Sequence, residues 1–305
     1  MKLYLEGIHM TISFPKRLIN NVASYEFLIN LNAVIQNTKK EEIVFDLSST
    51  KTFDTNLLAI LNCIVDESDK NITLIMPKEK RYPKGKSIIS IFNYYANDKR
   101  AFFKPRIVVG NSNVRETEDL LLKYLKQIKL QNYDKLKVLL SEIIANIKMH
   151  VVNTQNNTKG YVAASYDEQK NAIFVSVVNN SKTILEKLNE SKYEFNSDED
   201  AIVWALKKHN STRDSSESGG IGLYLLRKYT SELKANTIIV SGNTYMEIND
   251  LSYDEQNENN IWVSVSKAIS KSFKGTIVTI AFPYEIEKST DDRYIKSSLV
   301  DILEV

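Results

Sequence analysis

Among 305 residues there is one cysteine, Cys63, so no disulfide can form within the chain, and that usage fits a reducing cytoplasm. Cys63 sits in the apolar run LLAILNCIVD without a candidate base, which makes it a core thiol and not a nucleophile. No uninterrupted apolar run approaches the roughly 18 residues that span a bilayer. The opening MKLYLEGIHM has no apolar signal core, so neither export nor a membrane is expected. An excess of one charge is missing too. Forty Lys plus Arg against 38 Asp plus Glu leave a formal net charge of +2, so no global field draws in nucleic acid or an anionic membrane, and any anionic ligand must be held locally. No repeat period appears.

What is present suffices for two ordinary domains, with 43% hydrophobic residues to fill two cores. The first third alternates strands and helices. Two short strands are predicted over 2–14, a helix from Pro15 to about Gln36 on Leu18, Ile19, Val22, Leu28, Leu31 and Ile35, and a buried strand in EEIVFDLSS. A loop at 50–54, a helix over 55–65 and the strand NITLIMP, closed by Pro77, follow. Residues 78–86, KEKRYPKGK, read as a solvated basic loop.

The stretch IVFDLSSTKTFDTNLLAIL resembles the strand, turn and helix of STAS-type domains, the small α/β modules of bacterial anti-sigma-factor antagonists. In that family a serine of the turn accepts a phosphoryl group. Asn56 matches the serine here, and Thr55 offers the neighbouring hydroxyl. The resemblance covers about 41–76 and implies a regulatory or partner-binding module.

The polar segment 111–118, NSNVRETE, carries a capping pattern ahead of a periodic apolar run and is taken as the domain boundary. Helical periods follow over 120–130 and 134–151, with a break near 131–133. GYVAASYDE and NAIFVSVVNN then form a predicted hairpin with its turn at 169–171. Residues 182–208 are helical in character, and 209–219, HNSTRDSSESG, are polar and Ser-rich. The helix IGLYLLRKYT is followed by strands at 236–241, 244–248, 261–267 and 275–282.

Three stretches carry chemistry. In SEIIANIKMH, Glu142, Asn146 and His150 stand four residues apart and rise in a row along one helix flank. With Leu136 as zero and 100° per residue, Leu139, Leu140, Ile143 and Ile147 fall between about 300° and 40°, and the polar three near 240°, 280° and 320°. The trio borders the buried face, and by itself reads more simply as a solvated flank. SGGIGL, Ser218–Leu223, ends a polar loop and opens a helix. Its glycines let backbone N–H groups approach an anion, although a tightly packed loop gives the same pattern. VVNNSKTI ends a strand. There the amide of Asn179 can accept from N6–H of adenine and donate to a ring nitrogen, or can simply form a turn.

In this order and spacing the three stretches, with the closing strand GTIVTIAFP, resemble the GHKL (Bergerat-fold) ATP-binding superfamily. Its members include histidine-kinase catalytic domains, anti-sigma-factor serine kinases, DNA-repair ATPases and type II topoisomerase subunits. The resemblance spans about 117–284. It implies that Glu142 polarises the attacking water, that Asn146 binds Mg²⁺, and that His150 contacts phosphate or packs under a lid. Gly219, Gly220, Gly222 and Leu223 would form the phosphate loop, with Thr212 and Arg213 in the lid. Where the superfamily pattern resembles Asp-x-Gly-x-Gly, this chain has Asn179, Ser181 and Thr183, and Asn179 and Ser181 would meet the base.

The expected fold is α/β: a STAS-like domain over 1–110, a GHKL sandwich with a mixed sheet and helices on one face over 111–290, and a tail over 291–305. The expected function is cytoplasmic, Mg²⁺-dependent ATP binding with hydrolysis or phosphoryl transfer, as an ATPase or serine/threonine kinase in signalling. A protein partner and a homodimer are expected, without specific nucleic acid. A histidine autokinase is disfavoured, because neither His9 nor His209 lies in a recognisable helical acceptor segment. A DNA machine lacks room for a transducer domain. The alternative is a non-catalytic sensor whose lid and STAS-like domain switch partner binding.

Overall fold

The computed structural model describes residues 2–6, 9–77, 81–82, 87–95, 101–108, 110–127, 130, 132–152, 159–167, 170–191, 193–208, 210, 222–249 and 260–284. In chain order the elements are β1 (Lys2–Glu6), β2 (His9–Ser13), β3 (Arg17–Leu18), α1 (Val22–Asn37), β4 (Glu42–Asp46) and β5 (Thr52–Phe53). A 3-10 turn, Thr55–Leu57, leads into α2 (Leu58–Asp66), β6 (Asn71–Ile75), β7 (Arg81–Tyr82) and α3 (Ser87–Tyr95). The second half contains β8 (Ala101–Val108), α4 (Gly110–Gln127), α5 (Tyr133–Val152), β9 (Gly160–Asp167), β10 (Ala172–Asn179) and α6 (Ile184–Asn189). It closes with α7 (Asp198–Ala205), α8 (Gly222–Glu232), β11 (Asn236–Ile248) and β12 (Val265–Pro283). Among the described residues, no helix is long and apolar enough to cross a membrane.

Two five-stranded sheets organise the chain. The first has the order β1-β2-β4-β6-β7. Its centre, β2-β4-β6, is parallel, and both edge strands are antiparallel. The second has the order β11-β12-β10-β9-β8, and every pair in it is antiparallel. The α/β class holds, but the mixed sheet lies in the first unit and not in the second. The reason is local: β9 runs directly into β10 through a turn in which Asn171 takes φ 45°, and such short returns impose antiparallel pairing.

The boundary also moves. β8 pairs with β9, so residues 101–108 belong to the second sheet, and the polar segment 111–118 lies inside α4. Pro105 disguises β8. It is tolerated because β8 is an edge strand whose register shifts between Phe103 and Arg106.

Helices cover both faces of the second sheet. Val162, Ala164, Val175, Val177, Val278 and Ile280 point into a core shared with α4, α5, α6, α7 and α8. The alternate positions Tyr161, Ala163, Val178 and Ile277 join the core of the N-terminal unit, where α1 and α2 pack against β12, β9 and β10. Helices on one face only were expected. The second face is closed by the first unit itself.

The seam between the units is partly polar. Asn56, fully buried, uses its whole hydrogen-bonding capacity. Its Oδ1 accepts from Asn20 Nδ2 at 3.0 Å and from Ser165 Oγ at 2.8 Å, and its Nδ2 donates to Asn20 Oδ1 and Ser176 Oγ, both at 2.8 Å. Ser176 is linked to Thr279 at 2.7 Å, and the Tyr25 hydroxyl donates to Thr279 Oγ1 at 2.7 Å. Asp54 Oδ2 accepts from the backbone and side-chain nitrogens of Asn20 at 2.9 and 2.8 Å. Burial raises the Asp54 carboxyl above the usual carboxylate range and the Tyr25 phenol above its own.

Asn56→Ala therefore strands the buried partners Ser165 and Ser176 and the half-buried Asn20. Its unfolding free energy in urea should fall by about 2–4 kcal/mol. The exposed control Ser48→Ala should stay within about 0.5 kcal/mol of the parent. A loss below 1 kcal/mol for Asn56→Ala, on the order of a surface substitution, would contradict the seam.

Candidate functional site

SEIIANIKMH lies on α5 and Gly222–Leu223 open α8, two helices packed over one face of the second sheet, while VVNNSKTI ends β10 of that sheet and leads into α6. α5 packs on β9, β10 and α8, and α6, α7 and α8 pack on β11. Lys135 of α5 and Glu232 of α8 form an ion pair at 2.6 Å, tying the two helices together. Leu136, Leu139, Leu140, Ile143 and Ile144 form the buried face of α5, and Glu142 is half-buried at its rim. No hydrogen bond or ion pair engages the Glu142 carboxylate among the described residues, whereas its neighbour Ser141 donates to Glu118 across to α4.

Asn146 and His150 continue along α5 by one and two turns, and their side chains lie outside the described residues. Thr212, Arg213, Gly219 and Gly220 also lie outside them. Gly222 is the first residue of α8, and Leu223 is half-buried against the helical core. Among the described residues no group of three or more His, Cys, Asp or Glu side chains could hold a metal ion.

The strand end is defined in detail. Asn179, 7% exposed, terminates β10 in register with Thr276 and Gly160. Gly275 takes φ +114° immediately beside it, and a Cβ on that glycine would lie 2.0 Å from the Asn179 carbonyl oxygen. The glycine of GTIVTIAFP is thus required by a close approach of two backbones. Asn179 Oδ1 accepts from Ser181 N at 3.3 Å and from Ser181 Oγ at 2.8 Å. Asn180 Oδ1 accepts from Lys159 N at 2.8 Å.

Thr183 caps α6 in a reciprocal box: its Oγ1 accepts from Glu186 N at 3.1 Å, and Glu186 Oε2 accepts from Thr183 N at 2.7 Å. The polar residues at the two glycine positions of the resembled motif serve local structure, one closing an Asx turn and the other starting a helix. A Thr-x-x-Glu spacing in the sequence carries that signal.

Two charged side chains near this layer escaped the sequence reading. Arg227 of α8 is fully buried, donates from Nη1 to the Asn260 carbonyl at 3.4 Å and lies 5.8 Å from the centre of the Tyr224 ring. Its signal is the spacing Leu223, Leu226, Arg227, Thr230, which puts an arginine on the apolar face of its helix. Lys187 of α6 is the other. Burial pushes its ammonium down to about 8, with Glu186 opposing and Lys182 adding to the shift.

The turn that carries the STAS resemblance lies far from solvent. Thr55 is fully buried and donates to the Ala164 carbonyl at 3.3 Å, beside the fully bonded Asn56. Neither the hydroxyl nor the amide is presented to another protein. Cys63 is buried, and burial raises its thiol well above the ordinary range, as a core thiol requires. Compared with protein-family models and with curated proteins, the chain matches none.

Lys187 gives a pH test with a definite sign. Its folded pKa lies below the unfolded value of 10.5, so between about 8 and 10.5 the unfolded chain binds the extra proton. This group's contribution to stability is withheld at lower pH and rises through that window. Tyr25, Tyr161 and Tyr245, whose phenols burial raises, act in the opposite sense only above their unfolded value of 10.0, and the buried Cys63 thiol does so above 9.0, but all four are common to the parent and the variant and cancel in the comparison. Urea midpoints of Lys187→Met should exceed the parent's at pH 7 and lose the parent's rise between about pH 8 and 9.5. Parallel curves for the two proteins would show that Lys187 is not desolvated.

Proposed function

We propose that the second unit is a Mg²⁺-dependent nucleoside-triphosphate site of GHKL type that hydrolyses the nucleotide or transfers its terminal phosphoryl group in a signalling or regulatory process. ATP is the nucleotide that the sequence resemblance implies. The observation that carries the reading is the half-buried Glu142 carboxylate, unengaged among the described residues, on a helix packed against both the strand that ends at Asn179 and the helix that begins at Gly222. A carboxylate in that setting is free to act as a base.

The residue types fit the ligand. Asn146, one turn beyond Glu142, supplies a hard oxygen of the kind Mg²⁺ takes alongside phosphate oxygens and water. Gly222 opens an eleven-residue helix whose first N–H groups lack intrahelical partners and favour an anion. The metal, when bound, neutralises phosphate charge. The chain's own part is to orient the water or acceptor hydroxyl through Glu142, to hold the phosphates with His150, Gly219, Gly220 and Gly222, and to close Thr212 and Arg213 over them.

A second reading, nucleotide sensing without turnover, is favoured by the local bonding of Asn179, Ser181 and Thr183, which leaves fewer groups for the base. In either reading a protein partner would meet surfaces other than the buried 55–56 turn.

Glu142→Ala should bind Mg²⁺·nucleotide with parental affinity and lose at least about 100-fold in phosphate release, while Asn146→Ala should lose the Mg²⁺ dependence of binding. Calorimetry and a phosphate-release assay read both. Parental turnover in Glu142→Ala would refute its role, and binding without turnover in the parent would select the sensor.

A further inference from the structure

β12 outruns its neighbour on one side. β10 pairs with 276–283 and ends at Asn179, beside Gly275, and the chain then crosses to β11, where Ile184 N donates to Ser241 Oγ at 2.9 Å. Residues 265–275 therefore have no ladder partner on that side among the described residues. On the other side β11 pairs with 265–268 and again at Phe273, and the register passes over 269–272. The backbone N–H and C=O groups of this stretch form the open edge of a strand.

The edge is held in place from behind. Ile269 and Phe273 are buried in the core of the N-terminal unit, and α1 packs along β12. Ser270 Oγ donates to Asn30 Oδ1 at 2.9 Å, and Lys267 pairs with Glu26 at 3.4 Å. The other side chains from Val265 to Lys274 are exposed. Across 265–275, VSKAISKSFKG, three lysines stand without one acidic residue, although the chain as a whole is close to neutral. No hydrogen bond or ion pair engages Lys271 or Lys274 among the described residues.

Lysines along a free edge discourage a second copy. In a two-fold antiparallel pair the stretch would face itself and set ammonium groups across from one another, and like charges directly opposite destabilise the pair. An acidic strand meets the same lysines as partners. We infer that residues 266–274 of β12 are a docking edge for an extended, acidic segment of a protein partner, which adds a strand beside β12 where β10 has ended. The backbone ladder supplies the attachment, and Lys267, Lys271 and Lys274 select the charge. A nucleic acid offers no alternation of N–H and C=O, so it meets the lysines but not the edge. The inference stands apart from the nucleotide reading and gives the protein partner a surface other than the buried 55–56 turn.

The test titrates the full chain with a fluorescent peptide of about eight residues alternating Glu and Val, with its Lys-Val counterpart and with an oligothymidylate of the same length, and maps amide hydrogen exchange in each mixture. The Glu-Val peptide should bind at least about tenfold more tightly than either control, weaken as salt rises, and slow exchange within 266–274. Lys271→Glu combined with Lys274→Glu changes two exposed side chains and should reverse the preference between the two peptides, with far-UV circular dichroism unchanged. Methylating every backbone nitrogen of the Glu-Val peptide should abolish binding, since the charges remain and the ladder is lost. Equal binding of the oligothymidylate or of the methylated peptide would reduce the edge to an electrostatic patch and overturn the inference. So would protection outside 266–274, absence of peptide binding at millimolar concentration, or slower exchange of 266–274 on raising the protein concentration alone, which assigns the edge to a second copy.

Discussion

Asn56 makes four hydrogen bonds from one buried carboxamide, and the arrangement of the two sheets depends on it. A buried amide is expensive to leave unmet, since each missing bond costs about 1–3 kcal/mol. The bonds of Asn56 close only when the bend ahead of α1, through Asn20, and the second sheet, through Ser165 and Ser176, sit in one register. Apolar contacts between the layers would tolerate a slide of a residue or two. The polar seam does not, because a slide parts donors from acceptors in a dry site. The stack of sheet, helices, sheet, helices is thereby held as one arrangement.

That constraint bears on the functional reading. A covered second face leaves the helical face of the sheet for a ligand, and the motif-bearing elements α5, β10 and α8 meet there. It also removes the turn at 54–57 from regulation by phosphorylation, because its hydroxyl and amide are spent inside the molecule. The N-terminal unit then serves the second as a wall. Rigidity propagates to the strand end, where β10 keeps partners on both sides as far as Asn179 and Gly275 fixes the approach of β12.

Much of this was legible in the residues. Apolar periodicity marks α1, α2, α5, β4, β6, β9 and β10, since each buries a continuous face and its spacing survives in the sequence. β8 was not legible, because an edge strand can carry Pro105 and basic residues without paying in ladder bonds. The first two turns of α4 were taken for a domain boundary, because they are a polar surface stretch in which Arg115 and Glu116 are exposed, whereas the helical period from Leu120 onward was read as such. The strands read at 236–241 and 244–248 are one strand bent at Gly242, whose φ of 60° and contact with Asp198 mark a bulge. Ser165, Ser176 and Thr279 look like solvent-facing strand positions until the second layer is in place. For the site, Glu142 and Asn179 could be named from spacing. Which half of the Asn179 amide is free could not, because that depends on where Ser181 sits.

Amide hydrogen exchange on the full chain, with and without Mg²⁺·nucleotide at saturating concentration, tests the central claim most directly. The account predicts slower exchange confined to α5 from Glu142 onward, the segment 179–184 and the start of α8, with α1, α2 and the first sheet unchanged. Protection confined to the N-terminal unit, or no protection anywhere, would contradict a nucleotide site on the helical face of the second sheet.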